Sequence, residues 1–338
     1  MAVTIKQIAE ICGVSRGTVD RVLHGRGRVN PETEKLIKKT AEEMGYSPNT
    51  LAKALSAKNN PLNFYVVIPS WGNPYFDDMY AVISKAQLEL EDFGINITVK
   101  TTRGMELENQ IKILDEAKTD ASGIIIMPAK SEEIKEKINE LCEKNIPVIT
   151  LNTDIADSKR LCFVGADYIS GGETACGITG LLKGGKANVG VITDYIESEA
   201  HSGRISGFEK ISGEKYQNIT IVDVKECGNE DTKAYYVTKE LLMNHPETDT
   251  LLIDAGGIYG CIRAVRDYEE KIDVICFDVP RKNAELFKSG DIKAAVCQNP
   301  SGQAYIAINI LFNYVVRSIK PENECIFMNN EIKIAENF

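Results

Sequence analysis

Arg16, Gly17, Asp20 and Arg21 lie within VSRGTVDRVL, residues 14–23, at spacings that share one face of a short helix. Arginines on such a face can fork onto guanine edges, and Gly17 lets the backbone come close to the bases. Asp20 is less expected opposite phosphates: it either accepts from a cytosine amine or holds Arg21 in position. The chemistry is recognition rather than bond-making. No GxGxxG or GxxxxGK[ST] follows a strand-like run, and no Ser/His/Asp set has suitable spacing. Nine cysteines include no CxxC, and His24, His201 and His245 are far apart, so neither a metal site nor a cofactor is expected.

The elements that must position this face are written around it. Ile5, Ile8, Ala9 and Cys12 recur at helical spacing after Thr4, a natural N-cap. Gly13 ends that helix, and Ser15 caps a second whose Thr18, Val19, Val22 and Leu23 keep the period. Two short helices joined by a glycine turn make a helix-turn-helix, whose second helix enters the DNA major groove. A third helix follows over 31–44, then GYSPN, then a short helix from about Thr50. Leu51, Ala52, Ala54 and Leu55 form its apolar face, and so short a helix is marginal alone in water.

The net charge of −10 argues against nucleic acid only as an average, because residues 1–60 hold ten Lys/Arg against six Asp/Glu. A basic head on an acidic body suits a protein whose head meets phosphate while its body stays off the DNA. No apolar run reaches the length of a membrane helix, and the N-terminus enters a polar helix directly. The expectation is a cytoplasmic protein without membrane association, its cysteines reduced and buried.

From Leu62 the pattern changes to short apolar runs alternating with amphipathic helices. Strands are expected at 64–69, 95–100, 123–128, 147–152 and 161–165, and again at 187–193, 219–224, 250–254, 273–278 and 292–297, with a last one at 331–335. Helices are expected between them, as at 75–93 and 131–145. Continuous apolar strands alternating with helices indicate parallel sheets covered on both faces. Ten strands split near Ala166 suggest two similar halves rather than one very wide sheet.

IKQIAEICGVSRGTVDRVLHG, followed by RVNPETEKLIKKTAEEMGYSPNTLAKALSAK, resembles the DNA-binding headpiece of the LacI/GalR family of bacterial transcriptional repressors. Residues 62–334 resemble the type I periplasmic sugar-binding proteins, whose two-lobed α/β fold that family shares as its effector domain. The resemblance implies an all-α helix-turn-helix domain (1–47), a hinge helix and linker (48–61) and a two-lobed periplasmic-binding-protein-like domain with parallel sheets (62–338). The chain would cross between lobes near Ala166, Asn299 and Glu322, giving a first lobe of about 62–165 and 299–321 and a second of about 166–298 and 322–338. Thr4, Ser15, Arg16, Gly17, Thr18, Asp20, Arg21, His24, Asn30, Thr33, Asn49 and Leu55 are the residues expected at DNA, with Leu55 at the position of the family's minor-groove wedge.

In such a fold the ligand sits against the carboxyl ends of the strands. There the sequence places SWGNPYF after the first strand, Asn152, Thr153 and Asp154 after the fourth, and later Asp194, Asp254, Asp278 and Gln298. Rings that stack on a sugar, with amides and carboxylates for its hydroxyls, compose such pockets. NPYF resembles the family's aromatic segment, and Arg204 in RISGF matches its arginine three residues before a Gly-Phe pair. Trp71, Asn73, Tyr75, Phe76, Asn152, Thr153, Asp154, Arg204, Asp254, Asp278 and Gln298 form the expected effector set. Ser202 and Asn152-Thr153 stand where relatives carry arginines, which favours a neutral sugar or polyol over an anionic ligand. Asp254 and Asp278 could instead cap helices, Tyr75 and Phe76 could be core, and Arg204 could bridge Glu199 on the surface; Gly171-Gly172 and Gly256-Gly257 look like turns.

Taken together, the resemblance implies a ligand-responsive repressor that binds a near-palindromic operator as a homodimer and takes a sugar or polyol effector. A solute-binding module for transport and a sugar-acting enzyme, the latter with Asp194, Asp254 and Asp278 around a metal, are the rivals.

Overall fold

A computed structural model describes residues 3–23, 29–44, 61–69, 75–103, 106–280 and 283–338. The expectations resting on His24, Asn49, Leu55, Trp71, Asn73 and the hinge helix lie outside the described residues.

Among the described residues three helices make the headpiece: α1 (Ile5–Cys12), α2 (Arg16–Leu23) and α3 (Pro31–Glu43). Thr4 caps α1 in a capping box with Gln7, and Gly13 ends it in the left-handed region at φ 65°. The Ser15 hydroxyl accepts from the Thr18 amide at 3.1 Å, starting α2, and Asn30 accepts from the Glu32 amide to start α3. The apolar faces meet in a core of Ile8, Ala9, Val19, Val22, Ile37 and Ala41. Local capping and a six-residue core thus account for the arrangement.

The body contains two sheets built in the same order. The first runs β11 (Cys325–Met328), β5 (Cys162–Ala166), β4 (Val148–Leu151), β3 (Ala121–Ile126), β1 (Leu62–Pro69), β2 (Ile95–Thr102), all parallel. The second runs β12 (Glu331–Lys333), β10 (Ala294–Cys297), β9 (Asp273–Phe277), β8 (Thr250–Asp254), β6 (Lys186–Thr193), β7 (Asn218–Glu226) and is parallel except for β12. Successive residues of β1 show why the strands are continuously apolar. Phe64, Val66 and Ile68 pack under α4 (Asp77–Glu91) and α12 (Pro300–Arg317), while Tyr65 and Val67 pack under α5 (Leu107–Ala117) and α6 (Glu132–Glu143). In the second lobe α7 (Tyr168–Lys183) and α8 (Glu199–Glu214) cover one face, and α9 (Asp231–Asn244), α10 (Ile258–Arg266) and α11 (Ala284–Lys288) the other.

Each of the eleven expected body strands forms, within a residue or two at its ends. Three details differ from expectation. First, 325–328 form a strand of the first sheet, pairing Cys325 with Phe163 and Met328 with Ala166. The third crossing therefore falls at Asn329 and Asn330 rather than near Glu322, and the first lobe takes 325–328 from the span expected in the second. CIFM is short and half exposed, so it lacks the apolar continuity of the inner strands. Second, Cys325 is exposed rather than buried, because it lies on this edge strand.

Third, Gly171 and Gly172 are helical, inside α7, and not a turn. A Cβ on Gly172 would stand 1.9 Å from the Arg204 carbonyl oxygen, and one on Gly207 would stand 2.0 Å from the Ile169 carbonyl oxygen. These glycines let α7 and α8 cross backbone to backbone. Gly172→Ala should therefore destabilise the protein by about 1–3 kcal/mol through overpacking. On the same helix Gly177→Ala, with open space at its Cβ, should be neutral or stabilising by up to about 1 kcal/mol. Urea melts of the two variants check this, and equal effects would show that the close crossing is not what fixes the helices.

Candidate functional site

The strand ends of the two lobes face one cavity of about 540 Å³. Tyr75, Phe76, Asn152, Thr153, Arg204, Asp254, Asp278 and Gln298 line it, so the structure brings together eight of the eleven expected effector residues; Trp71 and Asn73 are outside the described residues.

Arg204 is the centre of the second-lobe wall. It projects from α8, is 6% exposed, and stacks its guanidinium over Phe277 at 4.3 Å with Tyr168 at 5.6 Å. Its Nη1 donates to Asp254 Oδ1 at the end of β8, and its Nη2 lies 3.6 Å from Asp278 Oδ2. Burial works against this charge, but Asp254 and Asp278 outweigh it and hold the guanidinium above its usual pKa. The surface bridge to Glu199 does not form; Glu199 pairs with Lys130 across the mouth of the cleft instead.

Asp278 follows β9 in the left-handed region at φ 44°, which turns its carboxylate back on the chain. Its Oδ1 accepts from the Gln298 amide at 2.8 Å and its Oδ2 from Gln298 Nε2. Burial raises its pKa above the usual carboxylate range, Arg204 and Gln298 pulling the other way. Neither Asp254 nor Asp278 serves as a helix cap: Gly257 precedes α10 and Asn283 precedes α11.

The first-lobe wall is anchored differently. Asn152, at φ 62° after β4, donates through Nδ2 to Tyr75 Oη at 2.8 Å and to Gln303 Oε1 at 3.4 Å. Gln303 on α12 in turn donates to the Gln298 carbonyl at 3.1 Å. Tyr168, the first residue of α7 in the other lobe, donates its hydroxyl to the Asn152 carbonyl at 2.5 Å, and burial pushes its phenol up to about 12. Phe76 both lines the cavity and belongs to the first-lobe core, edge-on to Tyr75 at 5.1 Å.

Asp154 is the correction. It does not line the cavity but accepts from Arg160 Nε at 2.6 Å and Nη2 at 2.7 Å, and from the Thr150 hydroxyl at 2.6 Å. Arg160 is almost fully buried, and it claims both carboxylate oxygens.

His201, Tyr168, Asn229, Asp231 and Tyr259 line the same cavity and were not expected there. His201 had a signal: it precedes Arg204 by three residues on α8 and so shares its face. Its Nδ1 stands 3.1 Å from Asp254 Oδ2. Ser202, the position compared with relatives, instead donates to the Ser198 carbonyl on its own helix. Asn229 orients Asp194, donating to its Oδ2 at 2.6 Å. Among the described residues no group of His, Cys, Asp and Glu could hold a metal ion.

On α2, Arg16, Gly17 and Arg21 are exposed, as reading a groove requires. Arg21 Nε donates to the Gly17 carbonyl at 3.0 Å, which extends its guanidinium along the helix. Thr4 and Ser15 engage their side-chain oxygens in capping, Ser15 also bonding Thr18 at 2.9 Å, so their first role is to set the helix starts. Asn30 does the same for α3, and Thr33 lies half-buried in its first turn.

A helix-turn-helix ahead of two lobes that close on a polar and aromatic cavity defines a ligand-binding protein joined to a DNA-reading headpiece. Residues 4–49 match the family described as bacterial regulatory proteins, lacI family, and residues 64–317 match the periplasmic binding protein domain. The chain thus carries a lacI-family helix-turn-helix domain followed by a body that belongs to the periplasmic binding protein domain family. It is 27% identical to catabolite control protein A of Priestia megaterium over 215 residues, 62% of this chain and 61% of that one. It is 26% identical to catabolite control protein A of Staphylococcus epidermidis over 294 residues, 83% of this chain and 84% of that one. A glucose-galactose binding protein from Geobacillus stearothermophilus superposes with a TM-score of 0.72 at 25% identity, covering 82% of this chain and 98% of that one. Among the described residues no helix is long and apolar enough to cross a membrane.

The Asp278 carboxyl gives a signed test. The folded state binds its proton more tightly than the unfolded chain does. Its contribution to stability is thus fully present below the ordinary carboxylate pKa and is lost as pH rises through the folded value. Above the ordinary carboxylate pKa, the stability of the wild type relative to Asp278→Asn should fall as pH rises. Paired urea melts measure this, and a flat or rising difference would mean that burial does not govern the carboxyl.

Proposed function

We propose that this protein is a sugar-responsive transcriptional repressor. It binds a near-palindromic operator as a homodimer through α2, and it takes a small sugar or polyol without an anionic group in the cleft between its lobes. One observation supports this above all. Eight residues from both lobes, with aromatic rings on one wall and the Arg204–Asp254–Asp278–Gln298 network on the other, meet in a cavity of small-molecule size behind a DNA-reading headpiece. Rings offer a face for the apolar side of a sugar, and carboxylates and amides fix hydroxyls.

Operator and effector act on one another by linkage: if the ligand weakens operator binding by some factor, the operator weakens ligand binding by the same factor. Phosphate contacts from Arg16, Thr33 and backbone groups contribute affinity, and base contacts from Arg16, Gly17 and Arg21 contribute sequence preference. A dimer supplies the two half-site readers that an operator of two-fold symmetry needs. Such a regulator works in the cytoplasm, catalyses nothing and needs no cofactor. The transport alternative has no use for α1 to α3, and the similarity to catabolite control proteins favours regulation.

The test is an operator-shift experiment across genomic fragments with and without a sugar panel. Arg16→Ala should weaken the specific complex by about 1–3 kcal/mol, roughly ten- to hundredfold. Gln298→Ala should leave effector-free operator binding intact while weakening the response to sugar by a comparable factor. Absence of any sequence preference, with the cleft empty or filled, would end the proposal.

A further inference from the structure

We infer that the effector carries a protonated amine, an amino sugar being the form that also suits the aromatic wall. This rests on the sugar-effector proposal and narrows it. The loss of arginines at Ser202 and Asn152-Thr153 speaks only against anions, whereas the groups that remain speak for a cation.

The first observation is charge. Among the described residues the cavity is lined by four aspartates (Asp194, Asp231, Asp254 and Asp278) against a single arginine, Arg204, and one histidine, His201. Arg204 is shared between Asp254, which is buried, and Asp278, which is half-buried, so two carboxylates divide one guanidinium. A carboxylate removed from water without a full counter-charge is costly, and a sugar hydroxyl does not supply that charge.

The second observation is independent of the tally. Asp254 is 1% exposed, and its Oδ2 is buried without a hydrogen-bond partner; Gln298 is 5% exposed, and its Oε1 is likewise without one. Both residues line the cavity. The orientation of the Gln298 amide is settled by its Nε2, which faces the Asp278 carboxylate and leaves the oxygen as the unused end. His201 Nδ1 is 3.1 Å from Asp254 Oδ2 but makes no hydrogen bond with it. Two acceptors in the cavity wall thus lack a hydrogen-bonded donor, one of them on a carboxylate whose nearest cationic group besides Arg204 is the His201 ring. An ammonium group offers three donors and a full positive charge, and so answers both deficits.

Isothermal titration of the full-length protein tests this with D-glucosamine, D-galactosamine and D-mannosamine, their parent hexoses and their N-acetyl derivatives, at a pH where the free amines are protonated. At least one amino sugar should bind about tenfold or more tightly than its parent, as expected for a charge-assisted hydrogen bond replacing a neutral one. N-acetylation, which removes the charge, should abolish the advantage. Asp254→Asn should weaken the amino sugar by a larger factor than it weakens the parent hexose, so that the preference for the amine shrinks, and circular dichroism would verify its fold. A parent hexose that binds as well as or better than its amino sugar overturns the inference and leaves the sugar-effector proposal standing. If no member of the panel binds, the amino-sugar inference is overturned, and operator shifts with neutral pentoses and polyols then decide the wider proposal separately.

Discussion

Two carboxylates sharing one buried guanidinium are the constraint on which this molecule depends. Arg204, Asp254 and Asp278 come from α8 and from the ends of β8 and β9, so their pairing exists only when helix and sheet are in register. Breaking such a group by removing one member leaves an uncompensated charge, at a cost of about 3–5 kcal/mol. An apolar replacement of the whole group is often no less stable, so stability alone does not explain its presence. Its chemistry is better explained by what it faces, a cavity of ligand size with the first lobe on the other side.

The placement of Arg204 rests on backbone packing. Gly172 and Gly207 remove side chains where α7 meets α8, and it is the main-chain oxygen of Arg204 itself that Gly172 approaches. The guanidinium is then held flat by Phe277. Two left-handed residues, Asn152 and Asp278, line the cleft just after strands, and a third, Asn299, caps α12 at a crossing between lobes. Asparagine and aspartate tolerate this conformation better than other residues with side chains. At Asn152 and Asp278 this conformation brings polar side chains to the cavity wall.

How much of this could be read from the chain differs by residue. The body strands are evident because β1 and its neighbours are apolar on both faces, and the headpiece is evident because Thr4, Gly13 and Ser15 punctuate it. Strand β11 is hidden: an edge strand with alternate exposed residues has no continuous apolar signal. Asp254, Asp278 and Gln298 are legible as polar residues ending apolar runs. Asp154 satisfies the same rule and fails, because Arg160, six residues on, folds back and occupies it. Nothing in local pattern distinguishes a carboxylate with a private arginine from one that shares. His201 and Tyr168 were missed for the opposite reason. They sit on helices, and a search of strand ends does not reach the first turn of α7 or the Arg204 face of α8.

A ligand moves the lobes only through groups whose contacts differ between open and closed arrangements. Lys130 and Glu199 span the mouth of the cleft, but both are more than half exposed, and exposed pairs contribute little. The stronger candidates are inside. Tyr168 reaches across to the Asn152 carbonyl, while the Asn152 amide holds Tyr75 and Gln303, and Gln303 holds Gln298, which holds Asp278. From Tyr75 on the aromatic wall of the first lobe, that chain runs to Asp278 on the charged wall of the second, beside the crossing at Asn299. A ligand that engages the Asp278–Arg204 end alters groups already bonded, link by link, to the first-lobe wall. Polar networks of this kind are sensitive to partial satisfaction, because a buried group left without its partner is costly. The residues proposed to recognise the ligand are thereby the ones that join the two lobes.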